Sequence, residues 1–130
     1  MYKKISIEAL KAMGVSVIIN ALLFLVLHAM GIFSDDIIIP DKGPITMVAV
    51  VMASILLLII ATIVFMLLIK FIPKYANKIF WAISILVFLL TANGPNSIPG
   101  ITIPMFIALD VMHLVCGLSI AYFLTKANTN

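Results

Sequence analysis

Four stretches of this sequence contain no Asp, Glu, Lys or Arg: residues 12–34, 43–69, 79–109 and 111–125, which are 23, 27, 31 and 15 residues long. A membrane-spanning helix needs about 20 consecutive, mostly apolar residues at 1.5 Å of rise each. The first two runs therefore hold one span apiece. The third is too long for one span and is broken by TANGPNSIPGITIP, residues 91–104, which holds two glycines and three prolines. Gly94 followed by Pro95 stops a helix, and Pro104 suits the first turn of the next. Spans are predicted near 12–33, 45–69, 75–93 and 103–125, joined by connections short enough to keep successive helices adjacent. The expected fold is all-α, a four-transmembrane-helix antiparallel bundle forming one domain over 1–130.

Composition supports the lipid solvent. The chain is 65% hydrophobic and 10% charged, against about 45–50% and about 25% in soluble domains. A soluble core at this length would leave most of that apolar surface wet, and disorder needs the opposite composition. The net charge of +3 comes from eight lysines and five acids with no arginine, a poor set for phosphate and base recognition, so no nucleic-acid partner is expected. One cysteine, Cys116, excludes an internal disulfide framework or a thiol metal cluster. Lys3 and Lys4 ahead of an apolar run resemble a signal peptide, but the run exceeds the usual h-region and lacks a small-x-small cleavage site. A retained first helix is expected.

Lysines orient the bundle. Lys3, Lys4 and Lys11 precede the first span, Lys70, Lys74 and Lys78 lie between the second and third, and Lys126 follows the fourth. The other two connections hold only Lys42, beside Asp35, Asp36 and Asp41. Cytoplasmic loops carry the positive excess, so both termini are expected in the cytoplasm and the chain in a bacterial cytoplasmic membrane. Tyr2, Tyr75, Trp81 and Tyr122 fall near the same boundary, where amphipathic rings favour headgroups.

In lipid, helices associate through small residues, close packing and hydrogen bonds, so polar and small residues mark protein-facing stripes. The third span carries Asn77, Trp81, Ser84, Phe88 and Thr91 at 4-3-4-3 spacing. The second offers Ala49 and Ala53 with Ser54 and Ala61, the fourth Gly117 and Ala121, and the first Ser16, Asn20 and Gly31, with His28 at the edge.

Three ionisable side chains lie inside spans: His28, Asp110 and His113. An aspartate at mid-bilayer costs roughly 2.5–3.5 kcal/mol on insertion scales, which makes it a functional candidate by default. Asp110 and His113 are one turn apart, and Gly117 continues their face. Counted from the outer helix ends, His28 lies roughly 7 Å deep, Asp110 roughly 10 Å, Ser54 and Ser84 roughly 13 Å, His113 roughly 15 Å and Asn20 roughly 20 Å. Convergent faces would gather them into a polar cluster in the outer half.

Three uses of that cluster are open. Asp110 and His113 can satisfy each other and lock helices together, in a non-enzymatic bundle that self-associates or binds a partner membrane protein. They can form the site of a small proton- or cation-coupled transporter. His28 and His113 can ligate haem or a metal, although their depths differ by roughly 8 Å. No H-E-x-x-H, nucleophile elbow or catalytic carboxylate pair is present, so no enzyme and no cofactor are expected. Asp35, Asp36 and Asp41 lack the alternation and closing glutamate of an EF-hand, and Cys116 reads as a small packing residue.

The stretch LLTANGP followed by FIALDVMHLVCGLSIAYFL resembles an uncharacterised bacterial family of small four-span membrane proteins. The likeness rests on a Thr–Gly–Pro end to the third span (Thr91, Gly94, Pro95) and a His-Leu-Val-x-Gly core in the fourth (His113, Leu114, Val115, Gly117). It implies the four-span topology and carries no activity with it.

Overall fold

The computed structural model describes residues 1–129. It has four long helices, α1 (Tyr2–Ala29), α2 (Met47–Phe71), α3 (Ala76–Thr91) and α4 (Ile103–Thr129). A short turn of 3-10 helix, Gly94–Ser97, extends α3. With that turn counted, all four are long and apolar enough to cross a membrane. The first helix spans about 42 Å at 1.5 Å per residue, which lets its lysine-bearing first turns project beyond a hydrocarbon layer about 30 Å thick.

Chain termination explains where α1 stops. The charge-free run predicts helix to residue 33, but the helix ends at Ala29 and Gly31 turns left-handed at φ +75°. Gly31 N–H donates to the His28 carbonyl and Ile32 N–H to the Leu27 carbonyl, both at 2.9 Å. These two bonds make a Schellman cap, which satisfies carbonyls that the helix end would otherwise orphan. At the starts of α2 and α4, hydroxyls do the capping. Thr46 Oγ1 accepts from Ala49 N–H at 3.1 Å, and Thr102 Oγ1 accepts from Met105 N–H at 3.4 Å.

α1 packs extensively against both α4 and α2, while α3 rests on α4 and, to a lesser degree, α2. The buried stripe of α1 is Ile5, Ala9, Ala12, Ser16, Asn20 and Phe24, a spacing of three and four that fits helix-on-helix packing. α2 turns Val50, Ser54, Leu58, Phe65 and Ile69 inward. Ala49 and Ala53, expected from their size to lie in that interface, are exposed. They sit one residue, or about 100° of helix, from the buried stripe, where larger side chains fill the space between helices.

Two apolar clusters form the core. One, at the lysine-rich end, joins Ile5, Ala9, Leu58, Phe65, Ile69, Ala76, Phe80, Ile120 and Leu124. The other, at the opposite end, joins Phe24, Val50, Met105, Ala108 and Met112 with Phe33, Ile37 and Ile45 of the α1–α2 connection. That connection is folded rather than merely solvated. A two-residue antiparallel pair, Ile38–Ile39 with Gly43–Pro44, closes on a turn in which Lys42 N–H donates to the Ile39 carbonyl and Asp41 takes φ +62°. Beneath it Phe33, 2% exposed, stacks on Phe24 with ring centres 5.2 Å apart.

Candidate functional site: a polar layer and an open cleft

A layer of hydrogen bonds separates the two apolar clusters. Asn20, 2% exposed, projects from α1 between α2 and α4. Its amide nitrogen lies 3.1 Å from Ser54 Oγ, 3.3 Å from the Met112 carbonyl and 3.2 Å from Cys116 Sγ. A carbonyl only accepts, so the contact with Met112 fixes which end of the amide faces α4. Ser54 spends its own proton on the Val50 carbonyl at 2.9 Å and so presents a lone pair to Asn20. One side chain thereby ties three helices. Asn20 Oδ1 is left buried with no partner, and so is Ser16 Oγ one turn away.

Beside this layer α2 and α4 stand apart, leaving a cleft of about 100 Å³ lined by Asn20, Val50, Ala53, Ser54, Leu57, Leu109, Met112, His113 and Cys116. Ala53 and His113 are exposed at its rim. His113 Nδ1 lies 2.8 Å from the Leu109 carbonyl, and since a carbonyl only accepts, that nitrogen carries a proton.

The expected cluster is therefore only partly assembled. Asn20, Ser54 and His113 line one cleft, and Cys116 and the Met112 carbonyl, absent from the expectation, join them. A main-chain carbonyl leaves no sequence signal, and a thiol beside apolar residues reads as filler. His28 serves the loop instead: its Nδ1 donates to the Phe33 carbonyl at 2.8 Å while its ring stacks on Phe24 at 5.5 Å. The structure thus does not bring His28 and His113 to a common cavity. Among the described residues no group of three or more His, Cys, Asp or Glu side chains is arranged to hold a metal ion.

Asp110 lies on a neighbouring face of α4, half-buried, with Oδ1 enclosed and unpartnered. His113 is exposed, and the space above the Gly117 Cα is open. The same stripe continues as Ala121 and Leu124, both fully buried. α3 covers α4 near that end, where Asn77 donates to the Thr125 carbonyl at 3.2 Å and accepts from Asn128 at 2.9 Å. Full burial in the α3 helix stops at Phe80. Ser84 is half-buried further along α3 and does not line the cleft.

The sequence profile of a family of unknown function, DUF6069, matches residues 3–130. The chain belongs to that family. No curated protein and no solved structure matches it.

Proposed function

For this member of DUF6069 we propose a non-enzymatic role: a multi-pass bundle of a cytoplasmic membrane, with both termini cytoplasmic, that associates with a second copy or with a partner membrane protein. One observation carries the reading. On α4 His113 is exposed and the space over Gly117, one turn on, is open, beside a half-buried Asp110 whose Oδ1 has no partner. A carboxyl group in hydrocarbon is costly, and a small-residue notch lets another backbone approach closely. A second helix seated on this face supplies the cover that the chain's own helices do not.

Gly117→Leu fills the notch and leaves Asp110 and His113 in place. We expect it to reduce crosslinked dimer, or the crosslinked heterocomplex in native membrane, at least fivefold with helix content unchanged. A wild-type chain that stays monomeric in lipid nanodiscs and crosslinks to nothing in its native membrane would sink the proposal.

The unpartnered oxygen of Asp110 also favours a second reading, in which it binds a proton or cation during transport. Proton uptake into vesicles that is identical for wild type and Asp110→Asn removes that reading and leaves the first untouched.

A further inference from the structure

A second groove lies between α3 and α4 at the lysine-rich end. It is open, has a volume of about 440 Å³ and is lined by Asn77 and Trp81 of α3 and by Tyr122, Thr125, Lys126 and Thr129 of α4. Most of its polar side chains are already committed. Asn77 bonds to the Thr125 carbonyl and to Asn128, the Thr125 hydroxyl donates to the Ala121 carbonyl at 2.6 Å, and Thr129 donates to the Lys126 carbonyl at 3.1 Å. The Lys126 ammonium is different. Its Nζ sits 5.5 Å from the centre of the Tyr122 ring, a cation–π contact that positions the charge and leaves N–H donors to offer. α3 contains no Asp or Glu, and α4 has none beyond Asp110, about 24 Å along the helix. No acidic side chain on either wall neutralises this cation.

The walls are graded with depth. α3 runs away from the lysine-rich end and α4 runs towards it, so both present the same order of chemistry going inward. Asn77, Lys126 and Thr129 come first, then Trp81 and Tyr122, then Ile85 and Leu118, both exposed. Residues four apart share a helix face, so the last pair carries the groove on as an apolar trough. A cation thus stands above amphipathic rings, which stand above aliphatic side chains. A phospholipid presents its headgroup, ester region and acyl chains in that same order.

We propose that this groove binds an anionic phospholipid, with its phosphate on Lys126, its ester region against Trp81 and Tyr122, and one acyl chain in the trough towards Ile85 and Leu118. Charge selects an anionic over a zwitterionic lipid. Lys78 adjoins Asn77 in the chain, and Glu8, the one acid at this end, is paired with Lys11. The groove therefore complements a net negative headgroup and offers nothing to the cationic half of a choline headgroup. Basic pockets between membrane helices bind acidic headgroups by this balance. The site uses none of Asp110, His113 and Gly117 and does not depend on association through them.

Trp81 is the one tryptophan of the chain, so its fluorescence reads the groove directly. The full chain is reconstituted in mixed bilayers of phosphatidylglycerol and phosphatidylcholine, with bromine carried near the carbonyl end of the acyl chains of one lipid at a time. A lysine near an anionic headgroup contributes about 1 kcal/mol, which is roughly a fivefold preference. We expect brominated phosphatidylglycerol to quench Trp81 with a relative binding constant about fivefold that of brominated phosphatidylcholine. Lys126→Gln should bring that ratio close to parity with helix content unchanged, and Lys126→Arg, which keeps the charge, should hold it. Lys70→Gln removes a lysine from the same end but outside the groove and should leave the ratio as in wild type. Equal quenching by the two lipids overturns the proposal. So does an equal loss in Lys70→Gln and Lys126→Gln, which would assign the preference to the basic end as a whole. Excess inorganic phosphate should not relieve the quenching, and relief would overturn the proposal in favour of a site for free phosphate.

Discussion

Asn20 concentrates more of this bundle's specificity than any other side chain, because lipid offers no hydrophobic drive for one helix to prefer another. Its amide joins α1 to α2 through Ser54 and to α4 through Met112 and Cys116. Single interhelical hydrogen bonds in membranes average about 0.6 kcal/mol and reach about 1.7. Asn20→Ala should therefore cost about 1–2 kcal/mol of unfolding free energy in mixed micelles. Ser54→Ala should cost less, since Asn20 keeps its bond to the Met112 carbonyl. A double-mutant cycle should return a coupling of about 0.6 kcal/mol, and additive single effects would show that the two residues do not share a bond. Both residues were legible in the sequence, because a polar group in an apolar run has few reasons to be there. Their α4 partners were not legible: Cys116 looks like packing, and the Met112 carbonyl belongs to every residue alike.

Among the helices, the number of spans and the two breaks near Pro95 and Pro104 followed from charge and from turn chemistry, and Ser16, Asn20 and Ala121 marked buried faces of α1 and α4, whereas the small residues of α2 did not mark its inward face. An α2 that is apolar on every side has no hydrophobic asymmetry to read, so residue size pointed to Ala49 and Ala53 while packing chose Val50, Ser54 and Leu58. Ser54 was the one honest marker of that face. The end of α1 escapes the charge pattern for a different reason. Charge counting runs through Gly31, but its left-handed φ ends the helix. Gly31→Ala should destabilise the chain by about 1 kcal/mol, the cost of a left-handed L-residue, read as a lowered melting temperature. The connection that follows is held down by Phe33, on which both the His28 bond and the Phe24 stack converge. Phe33→Ala should raise amide hydrogen exchange across residues 32–45 at least tenfold, with α3 unchanged. Protection equal to wild type would mean that the hairpin pins itself.

At the scale of the whole molecule, four antiparallel helices bring both chain ends and the α2–α3 connection to one end of the bundle. Seven of the eight lysines lie there: Lys3, Lys4, Lys11, Lys70, Lys74, Lys78 and Lys126. Only one acid, Glu8, shares that end, and it is paired with Lys11. The opposite end carries Lys42 with Asp35, Asp36 and Asp41. Positive residues in short flanking segments resist translocation, and acids contribute little to the choice. A C-terminal fusion to a fluorescent protein that matures only in the cytoplasm should therefore glow, and a C-terminal fusion to a phosphatase active only outside should stay silent. Replacing Lys70, Lys74 and Lys78 with Gln leaves four lysines against one. The bias keeps its sign, so the C-terminal fusion should report the same side with a minor inverted fraction. Moving the three lysines into residues 92–102 levels the balance at four against four and should yield a mixed population. A phosphatase-active wild-type fusion would show that the lysine asymmetry does not orient this bundle, and the α4 face would then have to be considered with its Asp110 end towards the cytoplasm.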